Sequence, residues 1–222
     1  MPQTRFVFVD GIIGAGKTTM QQRIADQLIG EGRDVTLIRE GDPQLRVGVM
    51  QPHAFAPWED LSVDDFTMLC GQRWRAFARQ AVSSPAVSVS DGLLFHGNMT
   101  DLFMMGADRP ALSRYVESVL DTLRPLQPHL VYLRTSDVRR TLRATCDARG
   151  KDWETYQLTW KLASPYARRE GLHGFEGLVQ LYHAFRDVCD DLVRTATRPT
   201  LIVEDGDSWP ERERLIFDWL AG

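Results

Sequence analysis

Apolar residues along the 222-residue chain alternate between two patterns. Five short segments are nearly continuous apolar runs: Arg5–Asp10, Val35–Arg39, Ala86–Ser90, Leu130–Arg134 and Thr200–Glu204. Runs this short and this uniformly apolar predict strands buried on both faces, as in a parallel sheet. Between them the apolar residues take helical spacing. Met20, Ile24 and Leu28 recur every four residues. Leu112, Tyr115, Val116, Val119, Leu120 and Leu123 mark one stripe, and Leu215, Ile216 and Trp219 another. Phe175, Leu178, Val179, Tyr182, Phe185, Cys189 and Leu192 predict a long helix. Helix starts are marked by Ser62 with Asp65 three residues on, by Ser136-Asp137, and by Pro110 and Pro210 in first turns. Strand and helix in alternation predict an α/β domain with a parallel sheet and right-handed crossovers. No repeat or flexible linker divides the chain, so one domain over residues 1–222 is expected.

Composition narrows the partners more than the fold. Lys and Arg number 26 against 30 Asp and Glu, a net charge of −4 with a pI near 5.7. The chain is 43% hydrophobic and 25% charged, ordinary for a globular protein, which excludes collagen-like and disordered classes. An acidic balance argues against gripping a nucleic-acid backbone. The three cysteines, Cys70, Cys146 and Cys189, have no metal or redox spacing and fit a reducing compartment. No run approaches the roughly 18 apolar residues of a membrane span. A cytoplasmic protein engaging neither membrane nor nucleic acid is expected.

One segment decides the chemistry. Gly11-Ile-Ile-Gly14-Ala15-Gly16-Lys17-Thr18 fits G-x-x-x-x-G-K-[ST], with an apolar strand before it and an amphipathic helix after it. Its glycines let successive backbone N–H groups curl around a phosphate. The helix starting near Lys17 adds its positive dipole end. Lys17 can reach the β- and γ-phosphates and the Thr18 hydroxyl can ligate Mg²⁺. ATP and Mg²⁺ are the expected ligands, with Gly11, Gly14, Ala15, Gly16, Lys17, Thr18 and Thr19 lining the nucleotide.

Carboxylates stand after two strands, where open α/β sheets place ligands. Asp91 is expected to hold Mg²⁺ with Thr18. Glu40 or Asp42 is expected to orient or accept the proton of an attacking hydroxyl, and the choice between them is open. Turn capping is the other reading of both. After the fourth run come Arg139, Arg140, Arg143, Arg149 and Lys151. Arg139 and Arg143 share a helix face and are expected to form a lid over residues 136–152 that steadies the leaving phosphoryl group. The competing reading is a solvated basic face.

These residues resemble the thymidylate kinase and deoxynucleoside kinase group of P-loop kinases. Asp10–Thr19 is similar to that group's first motif. Arg39-Glu40-Gly41 is similar to its Arg-Glu-Pro stretch, whose Glu acts near the acceptor hydroxyl, although Gly41 replaces the proline. Ser90-Asp91-Gly92 stands where the group carries Asp-Arg or Glu-Arg, so Gly92 replaces an arginine. Tyr132–Arg134 through Arg149-Gly150 is similar to its strand and lid helix. The resemblance implies a three-layer P-loop NTPase sandwich, a five-stranded parallel sheet flanked by helices with an arginine-bearing lid. It also implies phosphoryl transfer from ATP.

The acceptor is expected near Gln72, Arg73, Trp74, His96 and Asn98, with core packing as the alternative for some of them. Glu40, Asp42, Glu59, Asp60, Asp64 and Asp65 gather in the segments meant to surround it. Together with the missing arginine at position 92, they predict a neutral or cationic hydroxyl acceptor such as a nucleoside, amino sugar or antibiotic-like compound. A nucleoside monophosphate kinase, or a regulatory ATPase without a small-molecule acceptor, are the alternatives. The Leu112–Leu123 stripe serves either the core or a homodimer.

Overall fold

The five apolar runs become five parallel strands: β1 (Phe6–Asp10), β2 (Val35–Ile38), β3 (Val87–Asp91), β4 (Pro128–Arg134) and β5 (Thr200–Glu204). They lie in the order β2-β3-β1-β4-β5. The structure, a computed structural model, describes residues 4–47 and 56–222. Ten helices are labelled along it: α1 (Lys17–Gly30), α2 (Pro57–Asp60), α3 (Val63–Ser83), α4 (Thr100–Met104), α5 (Arg109–Thr122), α6 (Val138–Arg149), α7 (Lys151–Leu162), α8 (Pro165–Arg169), α9 (Gly174–Arg194) and α10 (Trp209–Ala221). A wide helical turn, Leu94–Met99, leads into α4.

Alternation along β1 splits the interior in two. Val7 and Val9 pack with Met20, Ile24 and Leu28 of α1 and Ile216 of α10. Phe6 and Phe8 face the other way, against Trp74 of α3 and Tyr182 and Phe185 of α9. Both faces of the sheet are therefore covered, which is why its strands read as continuous apolar runs. Trp74 is fully buried there, its indole N–H donating to the Tyr115 hydroxyl at 3.2 Å. The α5 stripe of Leu112, Tyr115, Val116, Val119 and Leu120 is buried in this same core.

The start signals act as local chemistry requires. Ser62 accepts from Asp65 N at 3.1 Å at the head of α3, and Asp137 from Arg140 N at 2.9 Å at the head of α6. Ser208 and Glu211 form a reciprocal capping box before α10. The expected lid differs in form. Its helix ends at Arg149, the chain turns at Gly150, and α7 begins at once. Trp153, Tyr156 and Trp160 of α7 recur at i, i+3 and i+7 on one face, a short stripe interrupted by the polar Gln157 and Lys161, with Leu158 off it.

Parallel pairing brings the strand ends to one edge, with Val9 opposite Asp91 and Asp10 opposite Tyr132. There Asp10, fully buried, holds two loops together. Its Oδ1 accepts from Gly11 N and His96 N, both at 3.0 Å. Its Oδ2 accepts from Leu94 N at 2.8 Å and Phe95 N at 3.0 Å. Burial pushes its pKa up to about 6, against the pull of these N–H groups and of Lys17. An asparagine could serve the donors on one side only. Asp10→Asn is expected to cost on the order of 2–3 kcal/mol, read by urea unfolding with the far-ultraviolet circular dichroism unchanged.

Candidate active site

The loop from Gly11 to Gly16 wraps the end of β1 and feeds into α1. Gly14 and Gly16 take φ of +79° and +91°, a region that side chains disfavour. A Cβ at Gly14 would strike Thr145 Oγ1 of α6, and one at Gly16 the Trp209 indole of α10. The cradle is thus clamped from outside by two helices distant in sequence. Lys17 is buried and donates from Nζ to Ile12 O at 3.0 Å, folded back over the loop. The Thr18 hydroxyl donates to Asp91 Oδ2 at 2.5 Å. Asp91 Oδ1 is enclosed without a hydrogen-bond partner among the described residues. A hydroxyl beside a carboxylate with spare acceptor capacity, next to a phosphate cradle, is a donor set that suits Mg²⁺.

Gly92 has a local reason. Its φ is +61°, and a Cβ there would lie 2.7 Å from Lys17 Cε. A larger residue at this position would displace the lysine, so Gly92 and the placement of Lys17 go together.

A cavity of about 510 Å³ opens from the cradle. Its far wall carries Glu40, Arg46, His96, Thr100, Asp101 and Arg149, and the α7 residues Trp153, Tyr156, Gln157, Trp160 and Lys161. Glu40 stands two residues beyond β2 with its Oε1 3.5 Å from His96 Nε2. Burial, reinforced by Lys17, Lys161, Arg46 and Arg149, drives the His96 pKa well below its usual range, so the imidazole is neutral. Arg46 and Asp101 pair at 3.1 Å. Burial raises the Asp101 pKa, opposed by Arg46 and Lys161.

The expected site residues divide accordingly. Lys17, Thr18, Thr19, Gly14, Gly16, Glu40 and His96 line one cavity, with Asp91 joined through Thr18 and Gly11 and Ala15 completing the loop. Other residues are elsewhere. Asp42 closes its own turn, accepting from Gln44 N at 2.8 Å. Arg139 pairs with Glu176 at 2.5 Å, and Arg143 lies 3.7 Å over the Phe175 ring and reaches Glu154. Both are tied to neighbouring helices, and Arg149 is the lid arginine that reaches the cavity. Gln72 is exposed, off the cavity wall, and Arg73 donates to Pro43 O. Trp74 is fully buried in the core and cannot stack on an acceptor there. Asn98, also buried, donates to Leu45 O at 3.0 Å and so holds the segment bearing Arg46. His53 falls outside the described residues.

The expected acidic wall also changes. Of its six carboxylates only Glu40 lines the cavity, because Asp64 and Asp65 sit in the exposed first turn of α3, Glu59 and Asp60 are exposed on α2, and Asp42 serves a turn. Arg46, Asp101 and the α7 residues were not singled out from sequence. No motif marks them, and Lys161 reads as one more polar residue beside the short aromatic stripe of Trp153, Tyr156 and Trp160.

Lys161 is 5% exposed. Burial lowers its pKa to about 8, with Asp101 and Glu40 pulling it up and Arg46 and Lys17 pushing it down. From about pH 8 to 10.5 the unfolded chain therefore holds its proton more tightly than the folded one, and stability rises with pH through that window. The gain is roughly 3 kcal/mol, and the full cost is present below pH 8. Lys161→Met is expected to raise stability at pH 7 and flatten this rise, read by urea unfolding at a series of pH values.

No family model matches the chain, and no curated protein matches it. Solved structures do. A thymidylate kinase from Ehrlichia chaffeensis superimposes with a TM-score of 0.58 at 13% identity, covering 99% of this chain and 100% of its own. A deoxyadenosine kinase from M. mycoides, solved with bound dATP, gives 0.53 at 15% identity over 98% and 100%. At these identities the likeness is one of fold, and the fold is the three-layer P-loop kinase architecture.

Proposed function

We propose that the protein is an ATP-dependent kinase that transfers the γ-phosphoryl group to a hydroxyl of a small molecule bound in the cavity. The observation that carries this reading is that one open cavity is lined both by the phosphate cradle and by an unburied carboxylate, Glu40. The two kinases of like fold, one of them holding dATP, support it.

The residues divide the work by position. The cradle's backbone N–H groups and the N-terminus of α1 hold the donor's phosphates. Lys17 exchanges its bond to Ile12 O for phosphate oxygens and neutralises charge as the phosphoryl group leaves. Thr18 and Asp91 would hold Mg²⁺, which supplies further neutralisation of the β- and γ-phosphate oxygens. Glu40 accepts the hydroxyl proton, a step worth 10²–10⁴-fold in such reactions. A neutral His96, with Nε2 toward that carboxylate, orients it without lending it a second proton. Arg149 and the α7 rings line the cavity and would shield the reacting groups from water once substrates fill it.

A second reading, transfer to a phosphate oxygen of a nucleoside monophosphate, draws on the cations Arg46, Arg149 and Lys161 of the wall. Glu40 separates the two, because a phosphate acceptor is already ionised and needs no base.

ADP production should depend on the acceptor across a panel of nucleosides, nucleotides, amino sugars and hydroxyl-bearing acids. Lys17→Ala should abolish turnover and leave the circular dichroism spectrum unchanged. Glu40→Gln should lower kcat about a hundredfold or more while nucleotide affinity is kept. Full activity in Glu40→Gln would favour the phosphate acceptor, and ADP release indifferent to every acceptor would favour a regulatory ATPase.

A further inference from the structure

The α7 wall holds more positive charge than the chain itself answers. Lys161 is nearly enclosed, and its ammonium lies over the rings of Trp160 at 4.9 Å and Tyr182 at 5.4 Å. Among the described residues no carboxylate stands within 4.0 Å of it, yet its side chain lines the cavity. The buried acid of the same cavity, Asp101, is already paired to Arg46 through Nη2. Arg46 Nη1 has no hydrogen-bond partner among the described residues. Glu40, 44% exposed at its side chain, is turned to His96. Two cations thus share one buried carboxylate. A buried ammonium without a counter-charge is costly and is kept where a ligand supplies one. The donor's phosphates already have the cradle's N–H groups, Lys17 and the head of α1 to answer them.

We propose that Lys161, with Arg46 beside it and Gln157 one turn earlier on the same face of α7, forms a second anion-binding subsite. Its ligand is an anionic group carried by the acceptor. Resting on the kinase reading above, this names the acceptor class as an alcohol that also bears a phosphate ester or a carboxylate, its hydroxyl at Glu40 and its anion at Lys161. The Trp160 and Tyr182 rings shield the ammonium from water and so strengthen its pull on the anion.

The test is isothermal titration of inorganic phosphate, and separately of acetate, into the full chain saturated with Mg²⁺ and a non-hydrolysable ATP analogue. One anion site beyond the nucleotide is expected. It should weaken tenfold or more in Lys161→Met and stay unchanged in Lys151→Met, which removes an exposed lysine from the head of the same helix. Tighter binding of phosphate assigns the phosphate ester, and tighter binding of acetate the carboxylate. Absence of anion binding to the nucleotide-loaded protein, or equal binding in Lys161→Met, overturns the proposal. Failure of the ATP analogue to bind would instead overturn the kinase reading. The subsite is then decided without nucleotide: phosphate binding kept in Lys17→Ala and lost in Lys161→Met supports it, and the reverse places the anion on the cradle and overturns it.

Discussion

The carboxylate of Asp10 ties the phosphate loop to the turn that faces it. One oxygen receives Gly11 N, where the cradle begins, together with His96 N, and the other receives Leu94 N and Phe95 N just past β3. Everything that must sit opposite Lys17 hangs from that turn: Asp91 before it, Gly92 where the lysine passes, and His96 against Glu40. Four N–H donors converging on one buried carboxylate form a rigid junction, since each would otherwise be an unsatisfied buried group. The parallel register supplies the proximity, and Asp10 converts it into fixed geometry.

Charge within the site is arranged by side. The cradle side offers backbone N–H groups and Lys17. The far wall is mixed: Arg46 with Asp101, Lys161 over aromatic rings, and Glu40 beside a neutral imidazole. Burial depresses the basicity of Lys161 and His96 and raises that of Asp101. These groups tune one another because water is largely kept from them.

Much of this was legible beforehand, and the reason differs by element. The strands were readable because a sheet covered on both faces demands apolar residues at every position. The cradle was readable because its chemistry needs particular residue types at fixed spacing within a few residues. The lid was half readable: its arginines are plain, but Arg139 and Arg143 are spent on Glu176 and Phe175, and Arg149 alone of the expected cluster reaches the cavity. Trp74 and Asn98 drew notice for chemistry and proved to serve packing and loop support. Helix α7 was not read from the sequence because its face toward a polar cavity mixes Trp153, Tyr156 and Trp160, at helical spacing, with Gln157 and Lys161, so the stripe is short and interrupted.

The sequence by itself determined the α/β layering, the phosphate loop with Lys17 and Thr18, and the carboxylates Glu40 and Asp91 at strand ends. Each of these follows from local periodicity or from a motif contained in one turn of chain. Only the tertiary structure decided which acids and cations share the cavity. That grouping arises where segments far apart in sequence converge, so the distance between Glu40, Asp101 and Lys161 along the chain carries no trace of their common wall. The same convergence turned a set of segments that read as acidic in line into a cavity wall whose buried lysine has no carboxylate within 4.0 Å among the described residues.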